Sequence, residues 1–296
     1  MSTLIKRLIV CGLGLLAGLL VWPVMELFIE HQAVFPSFLL FSLISGAAFG
    51  LLYGLVFGTA EGIIAGSNRR IVRGAIWGAV LGTIGGTLGF LAGQGVLFAL
   101  GERLLQSEDA VRRFGFPLAR AAGWAVLGLF VGVAEGVRAR SGRKIAVGVL
   151  GGLVGGALGG LAIEYGRVLV PDSPLVTLAG LVLFGVLVSL CYSLIEQQLS
   201  LGVLRLLNGR FKGKEFVLNQ RRLWIGGSDR SDIILEGYKG VSERHAQLRL
   251  KQGELLLEPA GSDTYVFVND DPVTGRLLKY EDVIRIGSAK LFFRHE

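Results

Sequence analysis

Apolar residues in the first two thirds of the chain come in six long runs, at 8–29, 38–62, 74–100, 118–137, 145–169 and 175–195. A helix needs about 20 apolar residues to cross a hydrocarbon core of about 30 Å, so six membrane-spanning helices are predicted. Short breakers separate them: 31–37 with Pro36, 67–73, 101–117 ending at Pro117, 138–144, and 170–174 with two prolines. Beyond residue 199 the pattern shortens. Segments at 215–218, 223–225, 232–235, 245–250, 254–258, 265–268, 283–286 and 290–293 alternate apolar and polar positions between turn residues. Regularly spaced short strands of that kind predict an all-β sandwich. The stretch between the two patterns reads as a helical linker. The expected organisation is a transmembrane domain at 1–199, a linker at 200–212 and a β domain at 213–296.

Composition agrees with a membrane class. Only 18% of residues are charged, 52% are hydrophobic and the mean hydropathy is +0.59, whereas a soluble chain carries about a quarter charged residues. There are 45 glycines, about double the usual share of roughly 7%. Seven prolines without a Gly-X-Y period exclude collagen, and so apolar a chain does not stay disordered. The formal charge of +7 divides evenly, with 14 Lys+Arg and 10 Asp+Glu before residue 200 and 16 and 13 after it. Neither part is a basic nucleic-acid block, and the excess fits loops that face an anionic lipid surface. Lys6 and Arg7, then Arg69, Arg70 and Arg73, then Arg138, Arg140, Arg143 and Lys144 all fall on one side of the membrane. By the positive-inside rule both termini are expected in the cytoplasm of a multi-pass inner-membrane protein. The first run lacks a small-x-small cleavage site and is expected to remain as a helix, not to leave as a signal peptide. Leu104, Leu105, Val111 and Phe114 suggest an amphipathic segment on the far surface within 101–117.

A shift of 74 residues aligns the second and third runs with the fourth and fifth, and 16 of the 33 positions from 54 to 86 are identical. That is the pattern of a duplicated two-helix hairpin with parallel orientation. Within it glycine recurs every fourth residue, as in Gly46, Gly50, Gly54, Gly58 and in Gly148, Gly152, Gly156, Gly160. Small-xxx-small grooves let helix backbones approach in lipid, and the same grooves are compatible with a glycine-lined path. Glu61 and Glu135 occupy equivalent places near the cytoplasmic ends of their runs. An intramembrane carboxylate is a candidate ion or proton site, and pairing with Arg69, Arg70, Arg143 or Lys144 is the structural alternative. Glu164 lies deeper and has no counterpart, since Phe90 stands 74 residues before it. Cys11 and Cys191 show neither disulfide nor metal spacing, and no metal site is expected.

The C-terminal part carries Leu223-Trp224-Ile225-Gly226-Gly227-Ser228, Ser231-Asp232-Ile233-Ile234-Leu235, Val241-Ser242-Glu243-Arg244-His245-Ala246 and Asp263-Thr264-Tyr265-Val266-Phe267-Val268-Asn269. In order and spacing these resemble a forkhead-associated (FHA) domain over about residues 213–296. The resemblance implies a sandwich that binds phosphothreonine peptides through loops at one end. It implies contact residues at Gly227, Ser228, Arg230, Ser242, Arg244, Thr264 and Asn269, and structural roles for Gly226 and His245. The chain departs from the family pattern where the chemistry lies. The phosphate-binding arginine falls on Gly227, the basic residue after the serine on Glu243, and the peptide-holding asparagine and its glycine on Thr264 and Tyr265. A missing bidentate guanidinium and an added carboxylate each weaken a dianion complex by about 1–3 kcal/mol, with Arg230 and Arg244 as partial compensation.

The leading expectation is therefore a membrane-anchored interaction module that displays a degenerate FHA domain and does not depend on phosphothreonine. Its partners are the lipid bilayer and a cytoplasmic protein, phosphorylated or not, with homo-oligomerisation left open and no nucleic acid. The alternative is a channel or transporter whose duplicated helices conduct under control of the β domain. No nucleophile–base pairing, metal spacing or cofactor loop is present in the sequence, so no enzyme and no cofactor are expected.

Overall fold

The structure is a computed structural model that describes residues 3–106, 109–138, 141–170, 173–261 and 263–294. The chain divides into two compact units, at the boundary between Ile195 and Glu196 apart from the first residues of the chain.

The helical unit contains α1 (Thr3–Glu30), α2 (Phe38–Gly58), a short α3 (Ala60–Ala65), α4 (Asn68–Leu105), α5 (Asp109–Arg138), α6 (Gly142–Leu169) and α7 (Pro174–Gln198). Six of these are long and apolar enough to cross a membrane. Local chemistry sets their ends. Ser37 and Ser141 cap α2 and α6, their hydroxyls accepting from Leu40 N and Lys144 N at 3.2 and 3.4 Å, which satisfies donors a helix start leaves open. Gly66 closes α3 with φ +71°, a left-handed cap that favours glycine. Pro174 opens α7, where its missing N–H costs nothing.

Two differences from the expected spans have physical reasons. The second run is divided at Thr59, whose hydroxyl donates to Val56 O at 2.7 Å, so Glu61 sits on α3 and not on α2. The segment 101–117, expected as a surface loop, is largely helical, with α4 running to Leu105 and α5 starting at Asp109. Backbone groups near lipid are best satisfied within a helix, and that outweighs the one hydrogen bond lost at Pro117. Of the residues expected on an amphipathic segment there, Phe114 is exposed, and the side chains of Leu104, Leu105 and Val111 lie outside the described residues.

Glycines set how closely the helices approach. A Cβ added at Gly46, Gly50, Gly54 or Gly58 of α2 would collide with the carbonyls of Gly86, Gly82, Gly78 and Gly74 of α4. Gly128 and Gly132 of α5 face Gly152 and Gly148 of α6 in the same way. Helix α6 has a second stripe, in which Gly151, Gly155 and Gly159 press on the backbone of α7 at Tyr192, Val188 and Phe184. Its third face, with Leu150, Val154 and Leu158, is exposed. Inside the bundle, Phe49, Tyr53, Trp124 and Phe184 form an aromatic cluster with centroids 4.6–5.8 Å apart, where offset and edge-to-face pairs contribute beyond area burial.

The β unit is a sandwich. One sheet has the order β2 (Glu215–Val217), β1 (Val203–Leu206), β11 (Ala289–Arg294), β10 (Val283–Ile286), β7 (Val266–Val268), β8 (Asp271–Val273). The other has the order β4 (Ile233–Ile234), β3 (Arg222–Gly226), β5 (Ala246–Lys251), β6 (Glu254–Pro259), β9 (Arg276–Leu277). The inward positions Leu204, Leu206, Ile225, Leu248, Leu257, Ile284 and Leu291 are fully buried between them, as the period-two pattern requires. The expected helical linker at 200–212 is corrected. Helix α7 ends at Gln198, Gly202 adopts φ +131°, and Val203–Leu206 pairs with both β2 and β11. Leu-rich residues favour helix locally, yet two neighbouring strands supply ladder bonds and core contact on one face, and tertiary pairing overrides propensity.

Candidate partner-binding loops

The connections β3–β4, β4–β5 and β6–β7 lie at one end of the sandwich, because β3 and β6 finish there and β5 and β7 begin there. His245 joins them. Its Nδ1 accepts from Ser242 N at 3.2 Å and its Nε2 contacts Tyr265 O at 3.0 Å. A ring nitrogen that accepts from a backbone N–H leaves the proton on the other, so Nε2–H donates to Tyr265 O and the imidazole is neutral. The ring is 4% exposed, which makes it a brace inside the loops and no free base. Ser231, fully buried, adds a second tie by donating to Glu243 O at 2.8 Å. Gly227 N donates to Ser242 O at 2.9 Å.

The two adjacent glycines differ. A Cβ at Gly226 would strike the Glu243 carbonyl and lie 2.8 Å from Ser231 Oγ, so the chain is confined to glycine there. A Cβ at Gly227 would have Val241 O at 3.5 Å and Ser242 O at 3.7 Å as its nearest neighbours, which is ordinary contact. Space for a side chain exists where the guanidinium of the family pattern would start. Around it, Ser242, Glu243 and Arg230 are exposed, and Ser228 Oγ accepts from Arg230 N at 3.2 Å. Arg244 stacks over the Trp224 ring at 5.1 Å, a cation–π contact that occupies the face of the guanidinium. Thr264 closes its own turn, since its hydroxyl donates to Gly261 O at 2.8 Å and accepts from Gly261 N at 3.0 Å.

Asn269 does not belong with these loops. It follows β7 at the opposite end of that strand from Tyr265, four residues and about 13 Å away at about 3.3 Å per residue. Its φ is +53° and both ends of its amide are engaged, Nδ2 donating to Asp282 Oδ1 at 2.7 Å and Oδ1 accepting from Val283 N at 2.9 Å. The residue holds the β7–β8 turn to β10. Spacing placed it correctly in the fold motif and said nothing of which end it would occupy.

In the helical unit, Glu61 Oε1 lies 3.8 Å from Arg70 Nη1 and 3.6 Å from Lys144 Nζ. The Arg70 pairing matches the basic loop expected to follow, and Lys144 comes from the other hairpin. The side chain of Glu135 lies outside the described residues. The deeper carboxylate singled out in the sequence has partners that spacing alone did not show. Glu164, 4% exposed, accepts from Arg120 Nη1 at 3.1 Å and Trp124 Nε1 at 3.2 Å, with Arg167 Nη1 at 3.9 Å. The signal available was departure from the repeat. Arg120, Trp124 and Glu164 stand where the first hairpin has Gly46, Gly50 and Phe90. Among the described residues, no cluster of three or more His, Cys, Asp or Glu has metal-binding geometry.

The motif order and the two-sheet topology together make the C-terminal part an FHA-type domain, carried on a chain with six helices long enough to cross a membrane. A family model described as the cytoplasmic domain of the inner membrane component of T3SS matches residues 205–296. Among curated proteins, the chain is similar to the oxoglutarate dehydrogenase inhibitor of Corynebacterium efficiens, 36% identical over 81 residues, 27% of this chain and 56% of that protein. It is also similar to the glycogen accumulation regulator GarA of Mycolicibacterium smegmatis, 37% identical over 81 residues, 27% and 51% of the two chains. The chain thus spans about half the length of these relatives. A solved structure of the FhaA FHA domain complexed with the intracellular domain of Rv3910 is 30% identical, covering 31% of this chain and 98% of that one with a TM-score of 0.29. These matches fall on the FHA-type domain.

Proposed function

We propose that the chain is a membrane-anchored protein-interaction module whose FHA-type domain recognises a cytoplasmic partner without requiring phosphothreonine. The observation that carries this reading is the pairing of an intact loop scaffold with an empty anion position. His245 and Ser231 assemble the loops, while Gly227 offers room and no guanidinium. Arg244, the candidate substitute, is stacked on Trp224, and the exposed Glu243 adds negative charge beside Ser242. A phosphate dianion there would meet a carboxylate and no bidentate donor. The partner is an unphosphorylated protein surface or a second copy of the domain. The names of both curated relatives are those of regulators, which supports an interaction role over catalysis.

The family description supports an inner-membrane location with the FHA-type domain in the cytoplasm, in agreement with the basic loops. The glycine zipper and the duplicated hairpin belong to the same reading. Backbone bonds recur at an offset of 74, Ser67 N to Gly62 O with Ser141 N to Gly136 O, and Ile71 N to Ser67 O with Ile145 N to Ser141 O. The pairs Gly54·Gly78 and Gly58·Gly74 recur as Gly128·Gly152 and Gly132·Gly148. These grooves are filled by the facing backbone, which favours helix packing over a glycine-lined path through the bilayer. Glu61, held between Arg70 and Lys144, acts in this reading as an anchor between hairpins.

The test is capture of partners by the full-length protein from detergent extracts of its own cells, before and after phosphatase treatment. The expected result is the same partner in both. Loss of every partner on phosphatase treatment overturns the proposal, as does micromolar binding of a phosphothreonine peptide with no binding of its unphosphorylated form.

A further inference from the structure

The helical unit contains a cavity of about 740 Å³ between the C-terminal halves of α1, α4 and α6 and the N-terminal halves of α2, α5 and α7. That is the end of the bundle away from Gly66 and Ser67 and from Ser141. Its volume is within the range of small-molecule sites, roughly 300–1,000 Å³. Two kinds of surface meet in it. Phe41, Phe49, Phe90 and Trp124 form apolar and aromatic walls, and Arg120, Glu164 and Arg167 lie together on the polar side.

The polar side has more donors than its carboxylate uses. Each guanidinium carries five N–H donors in a fork that fits a carboxylate or a phosphate ester. Arg120 and Arg167 both turn to the single carboxylate of Glu164, each through one terminal nitrogen, at 3.1 and 3.9 Å. Glu164 is almost wholly buried, whereas the Arg120 and Arg167 side chains are 52% and 40% exposed. The buried carboxylate, also held by Trp124 Nε1 at 3.2 Å, fixes two guanidiniums whose remaining donors are open to an incoming anion. Such a preorganised pair is expensive to keep beside lipid unless it is used.

We propose that this cavity binds a monoanionic amphiphile, with a carboxylate or phosphodiester headgroup on Arg120 and Arg167 and an apolar body against Phe49, Phe90 and Trp124. The charge limit comes from the lining. Glu164 offsets one of the two arginine charges and leaves one for a headgroup, while Glu26 of α1, which lines the same space, opposes a second negative charge on the ligand. The first hairpin has Gly46, Gly50 and Phe90 where the second has Arg120, Trp124 and Glu164, so the copies differ at the positions that build the site.

Trp124 supplies the readout. Full-length protein in phosphatidylcholine nanodiscs is titrated with decanoate brominated at its far end, with brominated decanol and with brominated decyl phosphate, and tryptophan quenching by bromine is followed. Decanoate is expected to quench in a saturable way that disappears in Trp124→Phe. The alcohol is expected to give only the linear quenching of partition into lipid, and the dianionic phosphate to bind more weakly than decanoate. Arg120→Gln with Arg167→Gln should raise half-saturation at least tenfold, and the corresponding double lysine variant should lose less. If the double glutamine variant melts early, Arg167→Gln alone carries the test, because Arg167 is farther from Glu164. Equal curves for acid and alcohol overturn the proposal, as does wild-type half-saturation in a glutamine variant of unchanged melting. Replacing a third of the lipid by phosphatidylglycerol identifies the source. A higher half-saturation makes a bilayer phosphodiester the resident ligand, and an unchanged one makes it a free amphiphile.

Discussion

Gly227→Arg is the sharpest perturbation, since the structure gives both halves of its energetics. On the folding side, a Cβ at 227 meets nothing closer than 3.5 Å, and its φ is not in the left-handed region. Replacing glycine at a compatible position stabilises by about 0.4–1 kcal/mol through the unfolded chain, so the melting temperature should hold or rise slightly. On the binding side, a guanidinium next to Ser242 adds charge-assisted hydrogen bonds to phosphate of about 1.5–3 kcal/mol, or roughly ten- to 150-fold in affinity. Glu243 opposes part of that gain, and Gly227→Arg with Glu243→Arg should exceed the single change. The assay is fluorescence anisotropy of a labelled phosphothreonine peptide and its unphosphorylated twin on the full-length protein, with melting followed in parallel. Gly226→Ala is the counter-variant. Its Cβ would strike the Glu243 carbonyl, separating Ser231 from its acceptor, at a cost of about 2–4 kcal/mol and therefore about 8 °C or more for a domain of this size. If Gly227→Arg melts normally and gains no preference for the phosphorylated peptide, the missing guanidinium is not what sets this domain apart, and the reasoning fails.

Other outcomes follow from single contacts. His245→Ala removes the brace between Ser242 N and Tyr265 O and should cost about 1–3 kcal/mol, read as a lower melting temperature of the β domain with partner binding lost in proportion. Asn269→Ala should lower melting by a similar amount, through Asp282 and Val283, yet leave partner affinity per folded molecule unchanged, because it lies at the other end of β7; a selective loss of binding would refute that placement. Gly54→Ala forces apart backbones that touch at Gly78 and should destabilise the bundle in detergent by about 1–3 kcal/mol. Gly12→Ala, with nothing within 4 Å, should be neutral or stabilising by up to about 1 kcal/mol.

The six apolar runs were legible in the sequence from their length, and eight of the eleven strands from alternation at period two between turn residues. Strand β1 was not, since Val203-Leu204-Arg205-Leu206 carries no local sign of its pairing with β2, the next strand, or with β11, far along the chain. The short β8 and β9 are three and two residues long, too few to show alternation. The loop site was legible through a motif, and the motif also misassigned Asn269, because linear spacing does not record which end of a strand a residue caps. The Arg120–Glu164 pair spans 44 positions between two helices, and only comparison of the two hairpins points to it.

Helix α6 has a consequence for how this chain can vary. Through its middle, two of its three faces are glycine stripes, Gly148, Gly152 and Gly156 toward α5 and Gly151, Gly155 and Gly159 toward α7. Every single-base change that converts a glycine codon to another amino acid adds at least one carbon, and at these six sites that carbon would land on a neighbouring backbone. Point mutation therefore has no small step available along either stripe, whereas Leu150, Val154 and Leu158 on the third face can exchange among apolar residues freely. Divergent copies of this chain should keep α6 nearly frozen on two sides and drifting on one, a signature that an alignment would register even after the rest of the bundle had changed.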